Sequence, residues 1–145
     1  MKYLGLDVGS KTIGLAIGQG IISLSKTTIN FPEYNFSQAI NLVLQFIKQE
    51  NPDIIIVGHP LNMNGTKSTT TIMVEDFVLQ LKTKTNCEII LWDERLTSRS
   101  ANQIMLTANV SRKKRKMNKD KLAAQLILQN YFDYLQHLAK AKKDK

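Results

Sequence analysis

The chain has 145 residues, of which 43% are hydrophobic and 22% charged, with a net charge of +8 and a pI near 9.6. The length suits one domain with a single core, and the apolar share excludes intrinsic disorder for most of it. No apolar run approaches the roughly 20 residues that a spanning helix needs, and Asp7 and Gly9 break the N-terminal apolar stretch before it takes the form of a signal peptide. Cys87 is the one cysteine, which leaves no internal disulfide. A soluble cytoplasmic protein without a membrane partner is expected. The positive charge is concentrated in Arg112-Lys113-Lys114-Arg115-Lys116 and in Lys140, Lys142, Lys143 and Lys145, a distribution that points to a polyanion, above all nucleic acid.

In chain order, Leu4, Leu6 and Val8 alternate with Tyr3, Gly5 and Asp7, the period of a strand with Asp7 on the face opposite the leucines. Gly9-Ser10-Lys11 is turn chemistry. Thr12 to Ile17 pairs back as a second strand, and after Gly18-Gln19-Gly20 a third runs from Ile21 to Ile29. Ser37 is placed to cap a helix carrying Ile40, Val43, Leu44 and Ile47, which Asn51-Pro52 ends. Asp53 to Gly58 is a short continuous apolar run, as in a strand covered on both faces. A loop from His59 to Ser68 leads to a second helix, Thr69 to Lys84, and a fifth strand runs from Glu88 to Trp92. Ser98 can cap a third helix through Ala101, Ile104, Met105 and Ala108; Asn109 to Met117 reads as a basic loop; Leu122 to Leu138 reads as a long last helix. One domain over 1–138 is expected, with a basic tail over 139–145 that frays.

The order β-β-β-α-β-α-β-α-α predicts an α/β fold, a mixed five-stranded sheet with helices on both faces. It resembles the ribonuclease H-like fold, which hosts unrelated functions.

Three acids fall where such a sheet gathers its chemistry: Asp7 in the first strand, Glu94 at the end of the fifth, and Asp120 one helical turn before Ala123 and Ala124. Cleaving a phosphodiester calls for an attacking water, a stabilised leaving oxygen and neutralised phosphate charge, which two divalent ions about 3.5–4 Å apart supply together. Carboxylate oxygens suit Mg²⁺ or Mn²⁺, whereas a lone Cys87 and the distant His59 and His137 make no soft-ligand site. Taken singly, each acid has a plain structural alternative: Asp7 bonding turn amides, Glu94 pairing with Arg95, Asp120 favoured by a helix dipole. Their joint placement is what points to a site.

The segments LGLDVGSKTIGLAIG, IIIVGHPLNMNGT, DERLTS and KDKLAAQLILQNYF resemble, in order, the four blocks of the YqgF family, and the resemblance runs from Lys2 to Tyr134. These are bacterial proteins similar to Holliday-junction resolvases, regarded as nucleases that mature the 5′ end of pre-16S rRNA. The resemblance implies a ribonuclease H-like fold, a divalent metal and a catalytic, metal-binding triad of Asp7, Glu94 and Asp120. Two positions depart from the family pattern: Lys119 precedes Asp120 where an apolar residue is usual, and His59 stands in place of a leucine, open to a phosphate contact or to an ordinary loop role. Substrate contacts are expected from Lys11, from Asn62, Asn64 and Thr66, from Arg95, and from Arg112, Lys113, Lys114 and Arg115.

A metal-dependent endonuclease acting on pre-16S rRNA, with pre-ribosomal particles as partners, is the reading this supports. The alternatives are a resolvase of four-way DNA and a non-catalytic RNA-binding assembly factor. Asp-x-Gly-x-x-x-x-Gly, Asp7 to Gly14, also resembles the phosphate loop of sugar-kinase ATPases, but 145 residues leave no room for the second domain those need. A monomer or weak homodimer is expected.

Overall fold

The computed structural model of the chain describes residues 1–93 and 112–143, with the side chains of 112–121, 142 and 143 outside the description. Its strands are β1 (Tyr3–Val8), β2 (Thr12–Gly18), β3 (Ser23–Asn30), β4 (Ile54–His59) and β5 (Glu88–Asp93); its helices are α1 (Phe36–Glu50), α2 (Thr69–Lys82) and α3 (Arg112–Lys143). They form one mixed sheet in the order β3-β2-β1-β4-β5, with β1, β2 and β3 antiparallel and β1, β4 and β5 parallel. The expected architecture is therefore present.

The alternation in β1 divides the interior into two layers. Leu4, Leu6 and Val8 join Ile13, Leu15, Ile55 and Val57 under α1 and α2, which contribute Ala39, Ile40, Val43, Val74, Phe77, Val78 and Leu81. Tyr3, Ala16, Ile54 and Ile56 pack on the other face against Ala124, Ile127, Leu128, Tyr131 and Phe132 of α3. The apolar run Ile54 to Val57 is buried on both faces because β4 lies between β1 and β5 with helices above and below.

Local chemistry sets the element ends. Asn35, not Ser37, caps α1, its side chain accepting from the Gln38 amide at 3.1 Å. Asn is as good a cap as Ser, and the start at Phe36 lets that ring join Phe31 and Phe77. Asn51 ends α1 in the left-handed region, φ 50°. Ser68 caps α2 in a reciprocal box with Thr71.

Several boundaries differ from those the sequence predicts. The third strand begins at Ser23, leaving Ile21 and Ile22 exposed in the turn before it. His59 is the last residue of β4, not of the loop. The stretch Arg112 to Met117 is helix, not loop: Arg, Lys and Met are strong helix formers, and α3 contains neither Gly nor Pro over its 32 residues. The helix as described runs on to Lys143, into the basic tail expected from residue 139. The third helix expected from Ser98 lies outside the described residues. Among the described residues no helix is long and apolar enough to cross a membrane.

Candidate active site

The parallel strands β1, β4 and β5 end at Val8, His59 and Asp93 along one edge of the sheet. Asp7 lies there, half-buried, on the face that α3 covers. Its partner across β2 is Gly14, and the β1–β4 register, which pairs Leu6 with Val57, brings Gly58 alongside on the other flank. The carboxylate thus stands between two residues without side chains. The sequence reading noted Gly14 only as part of a phosphate-loop pattern and missed Gly58; the signal is a glycine near the end of each strand flanking the acid.

The course of α3 follows from three contacts. Phe132 lies at Gly18, the partner of Tyr3; Leu128 and Ala124 lie at Gly5, where an added Cβ would come within 3.0 Å of the Leu128 Cβ and 3.3 Å of the Ala124 carbonyl. Going back along the helix from residue 132 therefore means going forward along β1. Asp120 is one turn before Ala124, about 6 Å along the axis, and Asp7 is two residues past Gly5, about 6.7 Å along the strand. The backbone of α3 leads towards the Asp7 edge as it reaches Asp120. The helix is pinned on this course by glutamines: Gln129 accepts from the Ser23 amide at 2.9 Å and donates to the Ile21 carbonyl at 2.8 Å, while the Ser23 hydroxyl donates to the Gln125 carbonyl at 2.7 Å.

Two loops border the edge. The Gly9 amide donates to the Thr12 carbonyl at 2.8 Å, closing the turn that exposes Lys11. In the β4–α2 loop, Asn62 and Thr66 are bonded through both backbone and side chains, at 2.9 Å each, and the Thr66 hydroxyl donates to Asn64 Oδ1 at 2.6 Å. Gly65 makes the turn possible with φ 86°. These side chains are exposed and shape a closed loop by satisfying one another. His59 bonds Glu75 Oε2 at 2.9 Å, and Lys67 meets the same oxygen at 3.0 Å. Hydrogen bonds from Lys67, then from His59, hold the Glu75 carboxyl below the usual range. His59 is thus tied to α2, a role the sequence did not reveal.

Glu94 and Arg95 lie outside the described residues, directly after the end of β5 at Asp93. Among the described residues no group of three metal-ligating side chains occurs; Asp7 is the acid of the expected triad whose side chain is described. Cys87 is at the opposite edge, its thiol on the Pro52 carbonyl at 3.3 Å, and His59 is engaged by Glu75.

A family model described as RuvX, Holliday junction resolvase, matches residues 1–134. The chain belongs to the RuvX family, also called YqgF. A relative from Mycoplasma capricolum is 44% identical over 137 residues, covering 91% of this chain and 95% of its own, and is named as a pre-16S rRNA nuclease. One from Shouchella clausii with the same name is 41% identical and covers 94% and 98%. Thermus thermophilus RuvC, solved in complex with a Holliday junction substrate, aligns over 88% of this chain and 91% of its own with a TM-score of 0.56 at 12% identity. The fowlpox virus Holliday junction resolvase aligns over 92% and 99% with a TM-score of 0.53 at 14% identity. At these identities the likeness is one of fold, and it establishes the ribonuclease H-like architecture of this RuvX chain.

Proposed function

We propose that this RuvX-family chain is a divalent-metal-dependent endonuclease that processes the precursor of small-subunit ribosomal RNA. The observation that carries the reading is Asp7: a half-buried carboxylate at the C-terminal edge of the parallel strands, flanked by glycines, towards which α3 leads as it reaches Asp120. The family match and the names of the full-length relatives support the activity and the RNA substrate.

Asp7, Glu94 and Asp120 are the residues assigned to hold Mg²⁺ or Mn²⁺, and an all-oxygen donor set fits such hard ions. The ions supply neutralisation of phosphate charge and a more acidic attacking water. The glycines beside Asp7 leave room for a phosphate to approach without a side-chain clash. Lys11 binds backbone phosphate at the β1–β2 turn, and Arg95 is assigned to charge that develops on the cleaved group. Asn62, Asn64 and Thr66 form the rim of the groove as one hydrogen-bonded unit. Arg112, Lys113, Lys114 and Arg115 extend the grip: they begin eight residues before Asp120, about 12 Å further along α3.

The test is cleavage of a labelled RNA spanning the 5′ end of the small-subunit precursor, beside a four-way DNA junction, with Mg²⁺, Mn²⁺ or chelator. Metal-dependent cutting of the RNA at a defined position is expected. Cutting of the junction alone would replace the RNA substrate with branched DNA, and binding without cutting under either metal would leave an assembly factor.

A further inference from the structure

Tyr34 combines three features that the fold does not require together. It is 64% exposed. Its φ is 63°, a left-handed conformation that is an outlier for a bulky side chain and that Gly or Asn adopts at lower cost. It is also fastened in place: its amide donates to the Ser10 carbonyl at 2.7 Å, and its own carbonyl accepts from the Phe36 amide at 2.9 Å. The ring meets Phe36 nearly perpendicularly, with centroids 6.4 Å apart, a contact that orients it without burying it. The neighbouring Phe31 amide bonds the Lys11 carbonyl at 3.0 Å, so the whole Phe31–Tyr34 segment is clamped to the turn that follows Asp7.

Scattered exposed aromatics are ordinary. A strained one, held rigidly beside a candidate nuclease site, is not explained by packing, and strain of this kind points towards function. We propose that Tyr34 is a stacking platform for an unpaired base of the substrate, with Lys11 on the adjoining phosphate; the inference rests on the nuclease reading above. The chemistry is specific to a base. An aromatic face accepts any nucleobase, while Glu33, directly before Tyr34, repels a phosphate there. Ser10 is three residues beyond Asp7, a span of at most about 11 Å. The Tyr34 ring lies one backbone hydrogen bond and one side-chain length beyond Ser10, so Tyr34 engages a base within a few nucleotides of the cleaved bond. The substrate class is a nucleic acid that is single-stranded next to the cut.

The test uses the full chain in chelator and a fluorescein-labelled single-stranded RNA of about 15 nucleotides. Tyr34→Asn removes the ring and suits the left-handed backbone, so its urea midpoint should equal or exceed that of the wild type. Its affinity should fall at least about fivefold, whereas Tyr34→Phe stays within about twofold of wild type. A walk of single abasic nucleotides should find one position where wild type loses the same factor and Tyr34→Asn loses nothing further. Unchanged affinity in Tyr34→Asn, or a loss equal at every abasic position, overturns the proposal while the nuclease reading stands if the wild type cuts RNA. A wild-type protein that binds no single-stranded RNA overturns the stacking proposal, and the nuclease reading falls with it only if the same protein also fails to cut the precursor RNA with Mg²⁺ or Mn²⁺.

Discussion

Gly18 shows how closely single residues constrain this molecule. A methyl group there would meet Phe132 Cζ at 2.8 Å and the Ile22 carbonyl at 2.7 Å, and neither can retreat: the ring is fully buried and the carbonyl is backbone. Gly18→Ala is expected to cost about 1–3 kcal/mol by overpacking, read as a lower urea midpoint with unchanged slope. Glu50 makes a second residue-level case. Its side chain is 9% exposed and bonds Lys2 Nζ at 2.7 Å and Lys26 Nζ at 3.2 Å. Hydrogen bonds from Lys2 and then Lys26 hold its pKa below the ordinary 4.5. A depressed carboxylate stabilises the fold above its unfolded pKa, and that stability is lost as pH falls through the folded value. The stability gap between wild type and Glu50→Gln should therefore be full at neutral pH and close steadily in denaturation curves taken below pH 4.5. The place of Asp7 on the face opposite the leucines was legible at this scale, because an acid in phase with Tyr3 and Gly5 breaks the pattern of a buried strand. Tyr34 and the pairing of Lys2 with Glu50 were not: contacts between residues 48 apart leave no local trace.

At the scale of elements, α3 carries the most consequence. Its first turn holds Arg112, Lys113, Lys114 and Arg115 and no acid, which opposes the helix dipole and costs stability in isolation. Under the proposed function, a bound polyanion would offset that cost. Replacing Lys113, Lys114 and Arg115 by Ala should weaken binding of single-stranded RNA and reduce the slope of log K against log salt by about 2, at roughly 0.7 per lost phosphate contact. An unaltered slope in a salt titration would detach this turn from the substrate. The strands were readable from their periods, alternating in β1 and continuous in β4. The start of α3 was not, because a run of like charges mimics a loop in sequence even when every residue in it favours helix.

At the scale of the molecule, the sheet order and the direction of α3 bring residues from distant segments to one edge. Asp7 and Lys11 come from the first hairpin and Asn62 to Thr66 from the β4–α2 loop, while the backbone of α3 leads towards the same edge from the other end of the chain. The net charge of +8 favours a polyanionic partner for the chain as a whole. Five strands and a mixed sheet followed from the order of periods, since a meander followed by alternating helix and strand admits few arrangements. Which side chains share the edge required the register, as the glycine flanks of Asp7 illustrate. The most direct measurement is single-turnover cleavage of the labelled precursor RNA in Mg²⁺ and in Mn²⁺ by wild type, Asp7→Asn and Asp120→Asn. Asp7→Asn keeps the size and shape of the side chain, so the thermal unfolding midpoint should hold. The expected result is metal-dependent cutting by the wild type and loss of at least about a hundredfold in each variant. Cutting by Asp7→Asn at the wild-type rate would contradict the assignment of this edge as the active site.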